Sequence, residues 1–113
     1  MRRRLLALLA LAPATARAHS ELRGSSPADG AVLEAPPTRL ELRFNETVQV
    51  TLLRLRREDG VEMPLPARSI RERREEIVAL PPLPAGAYVA EWRAISSDGH
   101  AIGGALRFRV GGP

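Results

Sequence analysis

Two histidines occur in the 113 residues, His19 and His100, and both stand where a metal ion could use them. His19 follows Ala16-Arg17-Ala18, the small-x-small pattern that signal peptidase reads, so cleavage after Ala18 gives it a free α-amine. The amine and imidazole of one residue can close a chelate ring on an ion, forming a histidine brace. The entropic cost is small because both donors are already tied together. An ordinary α-amine has a pKa of about 8, so a cation competes for it near neutral pH. His100 ends the polar stretch Ser96-Ser97-Asp98-Gly99-His100. Asp98 and His100 are two positions apart, so in an extended segment their side chains leave on one side. Gly99 permits the turn that would converge them. Together these residues offer one amine, two imidazoles and one carboxylate. That nitrogen and oxygen set suits copper(II) in a tetragonal arrangement, and zinc accepts the same donors. Taken singly, each has an ordinary explanation: a fraying terminus, an Asp-Gly turn, a solvated loop histidine. Their conjunction makes a candidate site.

The leader that must be removed is complete in outline. Arg2-Arg3-Arg4 is a positive start, Leu5 to Ala12 is a short apolar run, and the cleavage pattern follows, so residues 1–18 are expected to leave and 19–113 to form the mature domain. The apolar run is shorter than the roughly 20 residues that cross a bilayer. No second such run follows, and the processed chain is not expected to be membrane-embedded. The basic residues are all arginine. Four of the 17 leave with the leader, and the 13 that remain balance 13 carboxylates. A nucleic-acid binder needs a concentrated basic face, and no clustered run of that kind is present. Cysteine is absent. An exported domain without disulfides must rest on its own core, and any metal site must be built from histidine, carboxylate and the chain terminus.

The elements that would hold these donors read as strands. Leu40, Leu42 and Phe44 alternate with Arg39, Glu41 and Arg43, and Val48, Val50 and Leu52 continue the pattern. The phase then slips to Leu53 and Leu55, which predicts a β-bulge at Leu52-Leu53. Val61 to Leu65 is a short edge candidate stopped by prolines. The charged run Arg71 to Glu76 is expected to be a solvated hairpin or loop, followed by a short strand from Ile77 to Leu80. Tyr88, Ala90, Trp92 and Ala94 alternate with Val89, Glu91, Arg93 and Ile95, as in a central strand with both faces covered. Leu106, Phe108 and Val110 make the last strand. No segment has helical periodicity. About seven short strands with regular turn signals describe an all-β, immunoglobulin-like sandwich.

The stretch Leu83-Pro84-Ala85-Gly86-Ala87-Tyr88 and Glu91-Trp92-Arg93-Ala94-Ile95-Ser96-Ser97-Asp98-Gly99-His100 resembles the CopC family of periplasmic copper-resistance proteins. So do His19 with Ser25-Ser26-Pro27-Ala28-Asp29-Gly30, and Leu40-Glu41-Leu42-Arg43-Phe44-Asn45-Glu46. The resemblance runs over His19 to Val110. It implies a Greek-key β-sandwich or barrel carrying one copper(II) on His19, Asp98 and His100. Glu46 takes the position of the family's acidic residue near the ion, as a supporting group that orients a ligand or approaches the metal. The resemblance further implies a non-enzymatic periplasmic protein of copper resistance and homeostasis. Such a protein would sequester copper or deliver it to a CopD-type inner-membrane protein. Some family members add a methionine-rich copper(I) site in a mid-chain loop. Here Val61 to Ser69 offers only Met63, which argues for the copper(II) site alone. Two other classes compete. A histidine brace also serves oxidative copper enzymes, although this chain is short and its large aromatics, Tyr88 and Trp92, fall in a strand predicted to be buried. A metal-free envelope domain would use the sandwich itself.

Overall fold

A computed structural model describes residues 20–111 as strands and turns, with no helix among them. His19 and the expected leader lie outside the described residues. The strands are β1 (Leu22–Ser26), β2 (Ala31–Leu33), β3 (Arg39–Arg57), β4 (Glu62–Met63), β5 (Glu72–Ala79), β6 (Gly86–Ser96) and β7 (Ala101–Val110). β3 organises the molecule because it serves two sheets in turn. Its first part pairs antiparallel with β1 on one side and β5 on the other. Its second part pairs with β6 and, at Leu55 and Arg56, with β4. The larger sheet continues from β6 to β7 and ends at β2, which runs parallel to β7. The chain therefore crosses from one end of the strand order to the other between β1 and β2, and the folded-over sheet forms a β-sandwich.

The alternation seen in the sequence sets the core. Leu40, Leu42, Phe44, Val48, Val50 and Leu55 of β3 face Tyr88, Ala90, Trp92 and Ala94 of β6 and Leu106, Phe108 and Val110 of β7. Phe44 meets Trp92 edge-on at 5.3 Å, and Tyr88 stacks on Phe108 at 5.5 Å. The Tyr88 hydroxyl donates to the Pro84 carbonyl at 2.5 Å, which satisfies the polar end of a fully buried ring. Burial raises the pKa of this phenol.

Three expectations need correction. The phase slip on β3 falls at Thr51, between the Val50–Ala94 and Leu52–Arg93 pairs, one residue before the expected bulge. The edge segment after Gly60 is shorter than Val61 to Leu65, with only Glu62 and Met63 pairing. The largest difference concerns Arg71 to Glu76. These residues are not a solvated loop: β5 begins at Glu72 and pairs with β3. Glu76 points inward and is fully buried, with Arg68 at 3.0 Å and Arg73 at 3.3 Å from its carboxylate. Two guanidiniums replace the lost water, so a strand can place a charge where its alternation puts it. Ile77, on the opposite face, is left half-exposed.

Candidate metal centre

The loop between β6 and β7 explains its own sequence. The Gly99 N–H donates to the Ser96 carbonyl at 2.9 Å, and the Ser96 N–H to the His100 carbonyl at 2.8 Å. Gly99 has φ +91°, a left-handed conformation that glycine adopts without steric cost. This is a three-residue hairpin, a tight turn followed by a left-handed residue. Asp98 and His100 therefore converge through the turn that Gly99 permits, and not along an extended segment. The turn brings them together, with His100 Nδ1 3.0 Å from Asp98 Oδ2.

Ser96 holds the arrangement from below. It is buried at the end of β6, and its hydroxyl donates to Asp98 Oδ1 while accepting the His100 N–H at 3.1 Å. The Ser96 hydroxyl and then the His100 ring hold the Asp98 carboxyl down to about 2, well below the ordinary carboxylate range. An ionised Asp98 accepts the proton on Nδ1, which leaves Nε2 as the free ring nitrogen of His100. Each carboxylate oxygen also keeps lone-pair capacity beyond these bonds. The side chains of Asp98 and His100 are 63% and 76% exposed, so an ion reaches them from solvent without any rearrangement of the core.

Glu46 sits where β3 passes from one sheet to the other. Its carboxylate accepts a hydrogen bond from the hydroxyl of Ser20, a buried residue next in sequence to His19. The neighbouring residues are also tied: the Glu21 N–H donates to the Asn45 side-chain oxygen at 2.9 Å, and the Asn45 N–H to the Glu21 carbonyl at 3.1 Å. These bonds fix the start of the domain against β3. The ladders then relate Glu46 to the loop. Leu22 pairs with Phe44 and Val48 with Ser96, so Ser20 just before β1, Glu46 on β3 and Asp98 in the turn after β6 lie at one end of the sheet. Of the four residues singled out in the sequence, Asp98 and His100 are in contact, Glu46 stands at the same end of the sheet, and His19 is outside the described residues. Among the described residues, no three His, Cys, Asp or Glu side chains converge on one point.

Sequence reasoning passed over Ser20, Asn45 and Ser96. The signal for Ser96 was present, because a hydroxyl two residues before an aspartate is suited to a tight polar turn. Nothing local marks Ser20 or Asn45; their partners, Glu46 and Glu21, lie more than 20 residues away.

The CopC domain model matches residues 22–111, which covers all seven strands and includes Glu46, Asp98 and His100. The chain belongs to the CopC family. Among curated relatives, it is 30% identical over 112 residues to the copper transport protein CutJ of Bacillus subtilis. That match covers 95% of this chain and 21% of CutJ, so the chain spans about a fifth of that relative's length. It is 37% identical to copper resistance protein C of Escherichia coli, covering 85% of this chain and 84% of the relative. The crystal structure of CopC from Methylosinus trichosporium OB3b superposes with a TM-score of 0.69 at 28% identity, over 81% of this chain and 93% of that one. The CopC fold is therefore shared over nearly the whole described domain, and His19 stands three residues before the matched stretch.

Proposed function

We propose that the chain is exported to the periplasm, cleaved after Ala18, and there binds one copper(II) ion as a carrier or buffer in copper resistance. The ligands are the α-amine and imidazole of His19, the His100 ring and the Asp98 carboxylate, with Glu46 supporting the terminus. Copper as the cargo is supported by membership of the CopC family and by relatives named for copper transport and copper resistance. The observation that carries the ligand assignment is the bond from Ser20 to Glu46. It anchors the residue following His19 at the sheet end that also bears the Asp98–His100 hairpin. A hard carboxylate and borderline imidazoles fit copper(II), which binds such donors more tightly than other divalent first-row ions. Delivery to a CopD-type membrane protein accounts for such a carrier's use. Tyr88 and Trp92 are buried, so neither builds the exposed aromatic surface that an oxidative enzyme acting on a polymer would need.

The test compares the chain beginning at His19 with one carrying a single extra glycine before it. Both are titrated with copper(II) against a competing chelator. The brace predicts that the extra residue removes most of the affinity while the fold is retained. Equal affinities would refute the use of the amine.

A further inference from the structure

The metal site uses one end of the sheet and leaves the outer face of its larger half without a role. On that face Arg56, Val89 and Arg107 form one cross-strand row through β3, β6 and β7, and together they line two adjoining hollows. Four residues further along β6 towards the hairpin, Arg93 lies opposite Gly103. The floor here is low because Gly103 has no side chain. A Cβ there would stand 3.0 Å from the Trp92 carbonyl oxygen and 3.4 Å from Cδ of Arg93. The carboxylates on this face are poorly matched to its cations. Glu91 is 3.8 Å from Arg93 and Glu58 is 4.0 Å from Arg107, both at the limit of an ion pair. Among the described residues, no carboxylate comes within ion-pair distance of Arg56. The trough has unspent positive charge on both walls and the apolar side chain of Val89 between them.

We infer that this trough docks an acidic, extended segment of a partner protein, lying along β6 and ending beside the Asp98–His100 hairpin. The spread of the cations selects the occupant. Arg56 and Arg107 are two strands apart, about 10 Å, and Arg93 is about 13 Å further along. A single phosphate or carboxylate cannot span them, whereas an extended peptide presents side chains on one face about every 7 Å. The inference rests on the proposed function, because it gives a copper acceptor a way to be held next to the ligands. Its surface is separate from the ligands, so the two can be tested independently.

The probe is fluorescein-labelled hexaglutamate, followed by anisotropy, against the chain and two double variants. Arg56→Gln with Arg107→Gln should weaken binding about ten-fold or more, since charges facing a partner act in concert. Arg71→Gln with Arg74→Gln, which removes equal charge at and just before β5, should leave binding unchanged. Raising ionic strength from ~0.01 M to ~0.15 M should also weaken it. Peptide-induced amide shifts should fall at Val89, Gly103 and Ala105. The inference is overturned if hexaglutamate does not bind, if both double variants weaken it equally, or if vesicles containing phosphatidylglycerol bind and the peptide does not. Copper(II) affinity of the Arg56→Gln, Arg107→Gln chain should equal that of the parent. A parent chain that takes the peptide without binding copper would refute the proposed function and leave the docking surface standing.

Discussion

Val48 pairs with Ser96 across β3 and β6, and beyond that pair lie Glu46 on β3 and Asp98 in the turn that closes β6. Strand registry therefore brings the two carboxylates to one end of the sheet although they are 52 positions apart in the chain. Their environments differ. Asp98 is bonded within its own hairpin and is exposed, whereas Glu46 is occupied by Ser20.

This difference orders the effects of substitution on copper(II) affinity. His100→Ala removes a ring nitrogen and should reduce binding most. Asp98→Ala should follow, since it removes a donor and also frees the His100 ring. Glu46→Gln keeps an acceptor for Ser20 and should cost about 10- to 100-fold, the range for a group that orients a ligand. Competition titrations against a chelator measure all three. A loss for Glu46→Gln equal to that for His100→Ala would make Glu46 a direct ligand.

The hairpin itself should respond to acid in a defined window. The folded-state pKa of Asp98 is depressed to about 2. Its contribution to hairpin order is therefore complete above the ordinary carboxylate value of about 4 and lost as pH falls through about 2. In the metal-free chain, the Asp98 carboxyl carbon and the His100 amide should titrate together by NMR, with a midpoint well below that of an exposed aspartate. An ordinary midpoint would show that the Ser96 bond does not form. Ser96→Ala should move the midpoint upwards.

Much of this arrangement was legible in the sequence because alternation is a local signal. The inward rows of β3, β6 and β7 follow from spacing alone, and the Ser-Ser-Asp-Gly-His stretch announces a polar turn with two metal-competent side chains. The failures share one cause. Arg71 to Glu76 reads as a solvated run because charge is normally exposed, and a buried Glu76 is tolerable because Arg68, from the preceding loop, joins Arg73 on its carboxylate. The convergence of Ser20 on Glu46 likewise depends on which strands pair, and no local pattern encodes pairing. The bulge was misplaced by one residue because apolar Leu52 reads as the last inward position, whereas it pairs with Arg93 on the outer face and Leu53 takes the inward one beside Trp92.

The buried charge on β5 should have a measurable cost when broken. Glu76→Ala leaves Arg68 and Arg73 facing the core edge without a partner. Loss of one member of a buried ion pair costs about 3–5 kcal/mol when both are fully enclosed. The arginines here are 17% and 26% exposed and can turn to water, so a smaller loss of about 1–3 kcal/mol is expected. Urea unfolding measures it. A change below about 0.5 kcal/mol would place this cluster with ordinary surface ion pairs.

The last prediction concerns reduction of the bound metal. Copper(I) prefers thiolate and thioether donors, and the proposed mature chain from His19 has one thioether, Met63, and no cysteine. Met63 lies in β4 opposite Leu55, and its side chain packs against the hydrophobic core. Reaching an ion at the far end of β3 would require β4 to leave its strand. Leu55 and Glu46 are nine residues apart along β3, about 30 Å if the strand were straight, and bending at the bulge does not close such a gap to bonding distance. On adding ascorbate with a copper(I) chelator, the metal should therefore leave completely, with no retained equivalent. Met63→Leu should bind copper(II) as the parent chain does and release it at the same rate. X-ray absorption on the reduced sample decides the matter, since a sulfur scatterer at a retained copper ion would mean that Met63 does act as a ligand.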